Sequence, residues 1–198
     1  MHTFTRFSTR QLVLACVLAL GSASSVAGSA HLMPVYVSGV TGDADANEQA
    51  LATLTAELKK QPTDLEIQAM LGAVETSGAK HAMMPWNKMK AAEQGLARLD
   101  KALRLLPTPD QHKPDAAVMA LTMQVHTIAG CTFIHLPDMF KRFDQGYGLL
   151  KGQLQNPGFA YAPAAAKNAV YSCASQAAER AGDAAQANQW RQQLTHAN

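Results

Sequence analysis

The sequence predicts an all-α protein of about seven helices, stacked as antiparallel hairpins. Three observations predict it. Apolar residues recur at steps of three and four through one segment after another, as a single buried helical face requires. Proline and glycine separate those segments at intervals that suit individual helices. No alternation of apolar and polar residues recurs along the chain, so a sheet has nothing to be built from.

The chain of 198 residues is about one domain's worth, 47% hydrophobic and 16% charged, which excludes a disordered chain. Three cysteines are too few for a disulfide-dense scaffold. The first segment is expected to be removed. Arg6 and Arg10 precede an unbroken apolar run from Leu12 to Leu20, and small residues follow to Ala27, the three-part plan of a secretory signal peptide over residues 1–27. Ser25 and Ala27 suit cleavage after Ala27, and Gly28 and Ala30 offer a second site after Ala30. The run is too short to span a bilayer core of about 30 Å. Leu-Ala-Cys at Cys16 loosely resembles a lipoprotein box, but apolar sequence continues past it. Cleavage after Ala27 removes two arginines and no acid, leaving 15 basic residues against 15 acidic. A neutral, exported, periplasmic chain lacks the positive field of a nucleic-acid binder.

Residues 28–45, interrupted by Pro34, Gly39 and Gly42, read as an extended arm. The first helix covers roughly 46–60, with Leu51, Leu54 and Leu58 on one face and Pro62 beyond its end. A second starts near Thr63, carries Ile67, Met70, Leu71 and Val74, and breaks at Gly78. The third holds the clearest stripe, Met89, Ala92, Leu96, Leu99, Leu103 and Leu106, and stops at Pro107 and Pro109. The fourth, about 114–130, is apolar on most sides and belongs in the middle of the domain. Pro137 is placed to open the fifth, with Phe140, Phe143, Tyr147, Leu150 and Leu154 in rhythm. An alanine-rich sixth helix runs from about Tyr161 to Ala181, and a seventh from Asp183 to near His196.

Seven helices without a sheet leave a closed bundle or a stack of hairpins. The ending favours the stack. Ala181-Gly182-Asp183 followed by Ala187, with Tyr171 in the helix before, resembles a degenerate tetratricopeptide hairpin, in which Gly-Asp makes the turn and a small residue lets the helices approach. Helices two and three, then four and five, form two looser pairs, and helix one covers the N-terminal end. On this reading residues 46–198 are a TPR-like helical domain, an α-solenoid fragment. Closer still, Pro85-Trp86-Asn87-Lys88-Met89-Lys90, then Gly95, Asp100 and Ala102, then Leu136-Pro137 and Phe140, resemble a group of uncharacterised bacterial exported TPR-like proteins. That resemblance spans roughly Trp86 to Trp190. It implies a fold and an exported setting, and brings no chemistry with it.

Catalytic signatures are absent: no His-Glu-x-x-His, Gly-x-Ser-x-Gly, phosphate-binding loop or Cys-x-x-Cys. No catalytic residue, metal or cofactor is assigned. Cys131 and Cys173 are either a disulfide, expected in an oxidising compartment and stabilising by about 3 to 4 kcal/mol, or two buried thiols. His126, Cys131 and His135 lack the spacing and the fourth ligand of a zinc site, and His81, Met83 and Met84 have soft-metal ligand types without a defined geometry. Lys88, His126 and Asp138 are the polar residues left to an enzyme reading. Trp86, Lys88 and Lys90, with Phe140 and Tyr147, are the candidate partner-binding residues, because an amphipathic Trp is common at interfaces. The expected function is a scaffold that binds a protein or peptide, without catalysis. The alternative is an apolar-ligand protein with a pocket among the methionine-rich central helices.

Overall fold

An apolar stripe is stable only when another covers it, and here the main cover of each helix is a neighbour along the chain. The structure, a computed structural model, describes residues 29–108 and 115–194. Among the described residues it is all-α, with eight α-helices and no strand: α1 (Met33–Thr41), α2 (Ala44–Lys60), α3 (Leu65–Gly78), α4 (Pro85–Leu105), α5 (Ala116–Ile134), α6 (Phe143–Gln155), α7 (Ala164–Arg180) and α8 (Ala184–Leu194). Single 3-10 turns occupy Ala30–Leu32, Asp138–Phe140 and Pro157–Tyr161. The signal segment, Cys16, the start expected for the fourth helix at Pro114 and the end expected at His196 lie outside the described residues.

The expected arm is corrected. From Ala30 on, residues 28–45 form a 3-10 turn, α1 and the start of α2. Pro34 sits in the first turn of α1, where a missing N–H costs no helical bond. Gly39 does not break the helix but marks a contact: a Cβ there would lie 2.4 Å from the Ala50 Cβ and 3.1 Å from Val74. α1 is too short to be stable alone and packs on both α2 and α3, so tertiary contact supplies what periodicity does not. Two helix starts also move. Pro137 precedes the Asp138–Phe140 turn rather than a helix, Lys141 takes a left-handed conformation (φ 52°), and α6 begins at Phe143. Tyr161 ends a 3-10 turn, and α7 begins after Pro163.

Four helix starts are capped by aspartate. Asp43 accepts from the Ala46 N–H (3.0 Å), Asp64 from Ile67 (2.9 Å), Asp115 from Ala117 (2.8 Å) and Asp183 from Gln186 (3.0 Å). Each satisfies a backbone donor that the helix itself leaves free.

The most extensive packing joins α3 to α4, α5 to α6 and α7 to α8. In the first two pairs the helices run antiparallel and meet through facing glycines. A Cβ on Gly95 would fall 2.4 Å from the Gly72 carbonyl and 2.2 Å from the Thr76 hydroxyl. A Cβ on Gly146 would fall 2.7 Å from the Phe133 Cβ and 2.9 Å from the Gly130 carbonyl. Backbones this close leave no space for a side chain. α7 turns into α8 at Gly182 (φ 83°), with the Asp183 N–H bonded to the Ala178 carbonyl at 2.9 Å. That geometry is a glycine-closed helix end.

Two apolar clusters result. The first gathers Leu54, Ile67, Met70, Leu99, Val125 and Phe133 from α2 to α5; the second gathers Ile134, Leu150, Phe159, Val170 and Ala174. α5 contributes to both, which explains why its sequence is apolar on most sides. By length and composition α5 is also the one helix among the described residues able to cross a membrane, yet residues from Val125 to Ile134 line these two cores. Cys131 of α5 and Cys173 of α7 are joined by a disulfide, with Cα atoms 5.4 Å apart. Polar groups tie the helices further. The buried Asn47 amide donates to the carbonyls of Gly39 (2.8 Å) and Val74 (3.0 Å), linking α1, α2 and α3. Arg142 grips Asp100 with both nitrogens (2.9 and 2.6 Å), linking α4 to the start of α6.

Candidate partner-binding surface

α4 begins differently from its capped neighbours. Its N-cap is Met84, in the extended conformation an N-cap needs but with no side chain able to accept a hydrogen bond. The Met84 carbonyl accepts from the Asn87 and Lys88 N–H groups at 3.0 and 3.1 Å. No acid lies in the first turn, while Lys88 and Lys90 follow at once, opposing the positive end of the helix dipole. Around this start the surface is apolar: Met83 is 91% exposed, Trp86 67% and Met84 47%. Adjacent large apolar side chains in water are unfavourable unless something else covers them. Trp is amphipathic and Met adaptable, a combination suited to a partner surface.

Trp86, Lys88 and Lys90 of the expected site all lie in the first turns of α4, where Trp86 and Lys90, four residues apart, share a face and Lys88 lies around the helix from them; the other two lie elsewhere. At the helical rise, Trp86 lies about 21 Å from Asp100 along α4, and Asp100 is where Arg142 attaches the segment carrying Phe140. Phe140 is partly buried against the first cluster. Tyr147 is partly buried in the second, where it lies 5.9 Å from the Phe143 ring and 6.2 Å edge-on from Trp190, with the Lys151 ammonium 4.4 Å over its face. Burial and the nearby Asp183 carboxylate raise the Tyr147 phenol above its ordinary pKa. Both aromatics pack against their clusters while keeping part of their surface exposed.

The remaining candidates separate as well. Cys131 is held in the disulfide, and both ring nitrogens of His135 are engaged, with the Cys131 carbonyl (2.6 Å) and the Gln176 side chain (3.0 Å). These bonds withdraw both from a ligand set with His126. Burial lowers the His126 pKa, favouring the neutral ring. His81 has an enclosed Nε2 while Met83 projects into water, so the two occupy opposite environments. Asp138 pairs with Arg180, whose other nitrogen donates to the carbonyls of Ile134 and Leu136 at the end of α5. Lys88, His126 and Asp138 thus lie on three separate elements, α4, α5 and the Asp138–Phe140 turn. The residues carrying the family resemblance divide in the same way. Gly95, Asp100, Ala102, Leu136 and Phe140 all pack or tie helices, leaving Trp86 and Lys88 without a packing role.

Met83 and Met84, soft-metal ligand types by sequence, are instead part of the exposed apolar surface at this helix start. The signal available was the missing Ser, Thr, Asp or Asn before Pro85, beside lysines where a helix start favours acids. Two open hollows, each about 370 Å³, lie elsewhere: one lined by Asp138, Lys141, Phe143 and Asp144, the other by Asp45, Glu48, Gln49 and Ala52. Both have charged rims, unlike an apolar pocket between central helices. No family model, curated protein or solved structure matches the chain.

Proposed function

We propose that this chain is an exported, TPR-like helical scaffold that binds a protein or peptide partner through the start of α4. One observation carries the reading: Trp86 is 67% exposed beside exposed Met83 and Met84, on an uncapped helix start that bears Lys88 and Lys90. Pro85 suits a helix start, but the side-chain cap and a first-turn acid are both missing where lysines and large exposed apolar residues stand together. The lysines and the positive end of the helix dipole favour an acidic segment, and Trp86 with the methionines favours an apolar anchor within it. The successive antiparallel pairs and the Gly182-Asp183 turn support the repeat plan. The Cys131–Cys173 disulfide supports an oxidising compartment and hence export.

The test compares capture of periplasmic proteins by the native chain, by a Trp86→Ala/Lys88→Glu/Lys90→Glu variant, and by a Tyr161→Ser control. Tyr161 is 91% exposed on a different element. A partner held by the native chain and the control but lost by the triple variant is the expected result. Equal capture by all three would remove α4's start as the binding surface.

A further inference from the structure

Two outward faces of the molecule carry opposite charge. On α2, Asp45, Glu48, Gln49 and Ala52 are all exposed and line the open hollow of about 370 Å³. They share the side of the helix opposite the buried Asn47, Ala50 and Leu54. The only basic residues of α2, Lys59 and Lys60, stand in its last turn. On α4, Trp86 and Lys90 share a face, exposed Met83 and Met84 precede them, and the first acid of the helix is Glu93. Among the described residues none of Asp45, Glu48, Lys88 and Lys90 forms an ion pair.

The packing around α3 fixes how these faces are disposed. Gly72 and Thr76 of α3 meet Gly95 of α4, whereas Val74, whose carbonyl accepts from Asn47 of α2, lies about half a turn around α3 from Gly72. α2 and α4 therefore flank α3 on opposite sides. Trp86 stands nine positions before Gly95, about two and a half turns, and so faces away from α3. Both faces also lie at one end of the molecule. Asn47, near the start of α2, donates to the Ser77 hydroxyl at the end of α3 (3.1 Å), and Lys80, between α3 and α4, donates to the Val40 carbonyl (2.9 Å). Complementary faces that point outward on opposite sides cannot meet within one copy, but they can meet between copies.

We propose that the partner of α4's start is a second copy of this chain, docked head to tail, with Trp86 of one copy in the α2 hollow of the next and Lys90 against Asp45 or Glu48. The inference rests on the partner-binding reading and names the partner. The chemistry matches on each side. An indole is an apolar body with one N–H donor, and the hollow offers Ala52 along its wall and carboxylate acceptors at its rim. A formal net charge of only +2 over 198 residues leaves little repulsion between copies. Each contact uses a different face of each copy, so association continues past the dimer unless the copies close into a ring.

The test follows the mass of the native chain by analytical ultracentrifugation from about 1 μM to about 1 mM. Species larger than one chain are expected to grow with concentration and to recede as salt is raised. Two reversal variants, Lys88→Glu/Lys90→Glu and Asp45→Lys/Glu48→Lys, are compared, each checked for native helix content by circular dichroism. Each alone is expected to self-associate at least about tenfold more weakly, because like charges then face each other. Mixed in equal amounts, the two variants present opposite charges at every contact, and association is expected to return. A native chain that stays monomeric throughout overturns head-to-tail docking. So does association that neither reversal weakens, or that folded variants fail to recover on mixing. A monomeric chain that still captures a periplasmic protein through Trp86, Lys88 and Lys90 overturns this inference alone and leaves the partner-binding reading standing.

Discussion

α3 starts on Asp64, whose carboxylate accepts the Ile67 N–H at 2.9 Å, whereas α4 starts on Met84, which offers its first turn a carbonyl and no side-chain acceptor. The two helices are each other's main packing partners, and both feed the first apolar cluster. From Gly95 onward α4 is held against α3: Gly95 touches the α3 backbone, Leu99 is fully buried, and Arg98 clasps Glu75 with two bonds of 2.9 Å. The half of α4 before Gly95 has none of this at its tip. A helix can therefore be held by its body while its start stays exposed, and that exposure is what the partner-binding proposal rests on.

That contrast can be broken at several depths. The largest effect is expected far from α4's start. Cys131→Ala/Cys173→Ala should lower stability by about 3 to 4 kcal/mol in urea unfolding, from the chain entropy regained by the open loop, and leave partner capture intact in whatever fraction stays folded. Within α4's body, Gly95→Ala forces a methyl group against the Gly72 carbonyl and the Thr76 hydroxyl, and should cost about 1 to 3 kcal/mol by the same measurement. The caps sharpen the comparison directly. Asp64→Ala should cost about 1 kcal/mol, whereas Met84→Asp, at a residue already extended (φ −93°, ψ 136°), should add about 0.5 to 1 kcal/mol while weakening partner capture. Smallest of all, Trp86→Ala should change stability by less than about 0.5 kcal/mol, as an exposed residue without structural duties does. A large loss of stability on Trp86→Ala would make it a packing residue and end the contrast.

Much of this fold is legible from the residues. The stripe of Leu96, Leu99 and Leu103 reads as a helix because each turn brings the same face back to the core, and the turn at Gly182 reads from a residue that tolerates positive φ. α1 is not legible, since its short sequence has no clear stripe and is held by contacts through Gly39 to α2 and α3. The candidate surface is half legible. Trp86, Lys88 and Lys90 stand out as an odd helix start, but Phe140 and Tyr147 look identical to surface aromatics until their clusters are seen.

By itself the sequence determined the all-helical class, most helix bodies and the polar caps, because these depend on residues within a few positions of one another. Only the tertiary structure decided that Cys131 meets Cys173, that Arg142 reaches Asp100, and that Met83 and Trp86 stay largely exposed among the described residues. Those outcomes depend on how close two helix backbones come, which is set by facing glycines and filled volume across the core, and no local pattern encodes that distance.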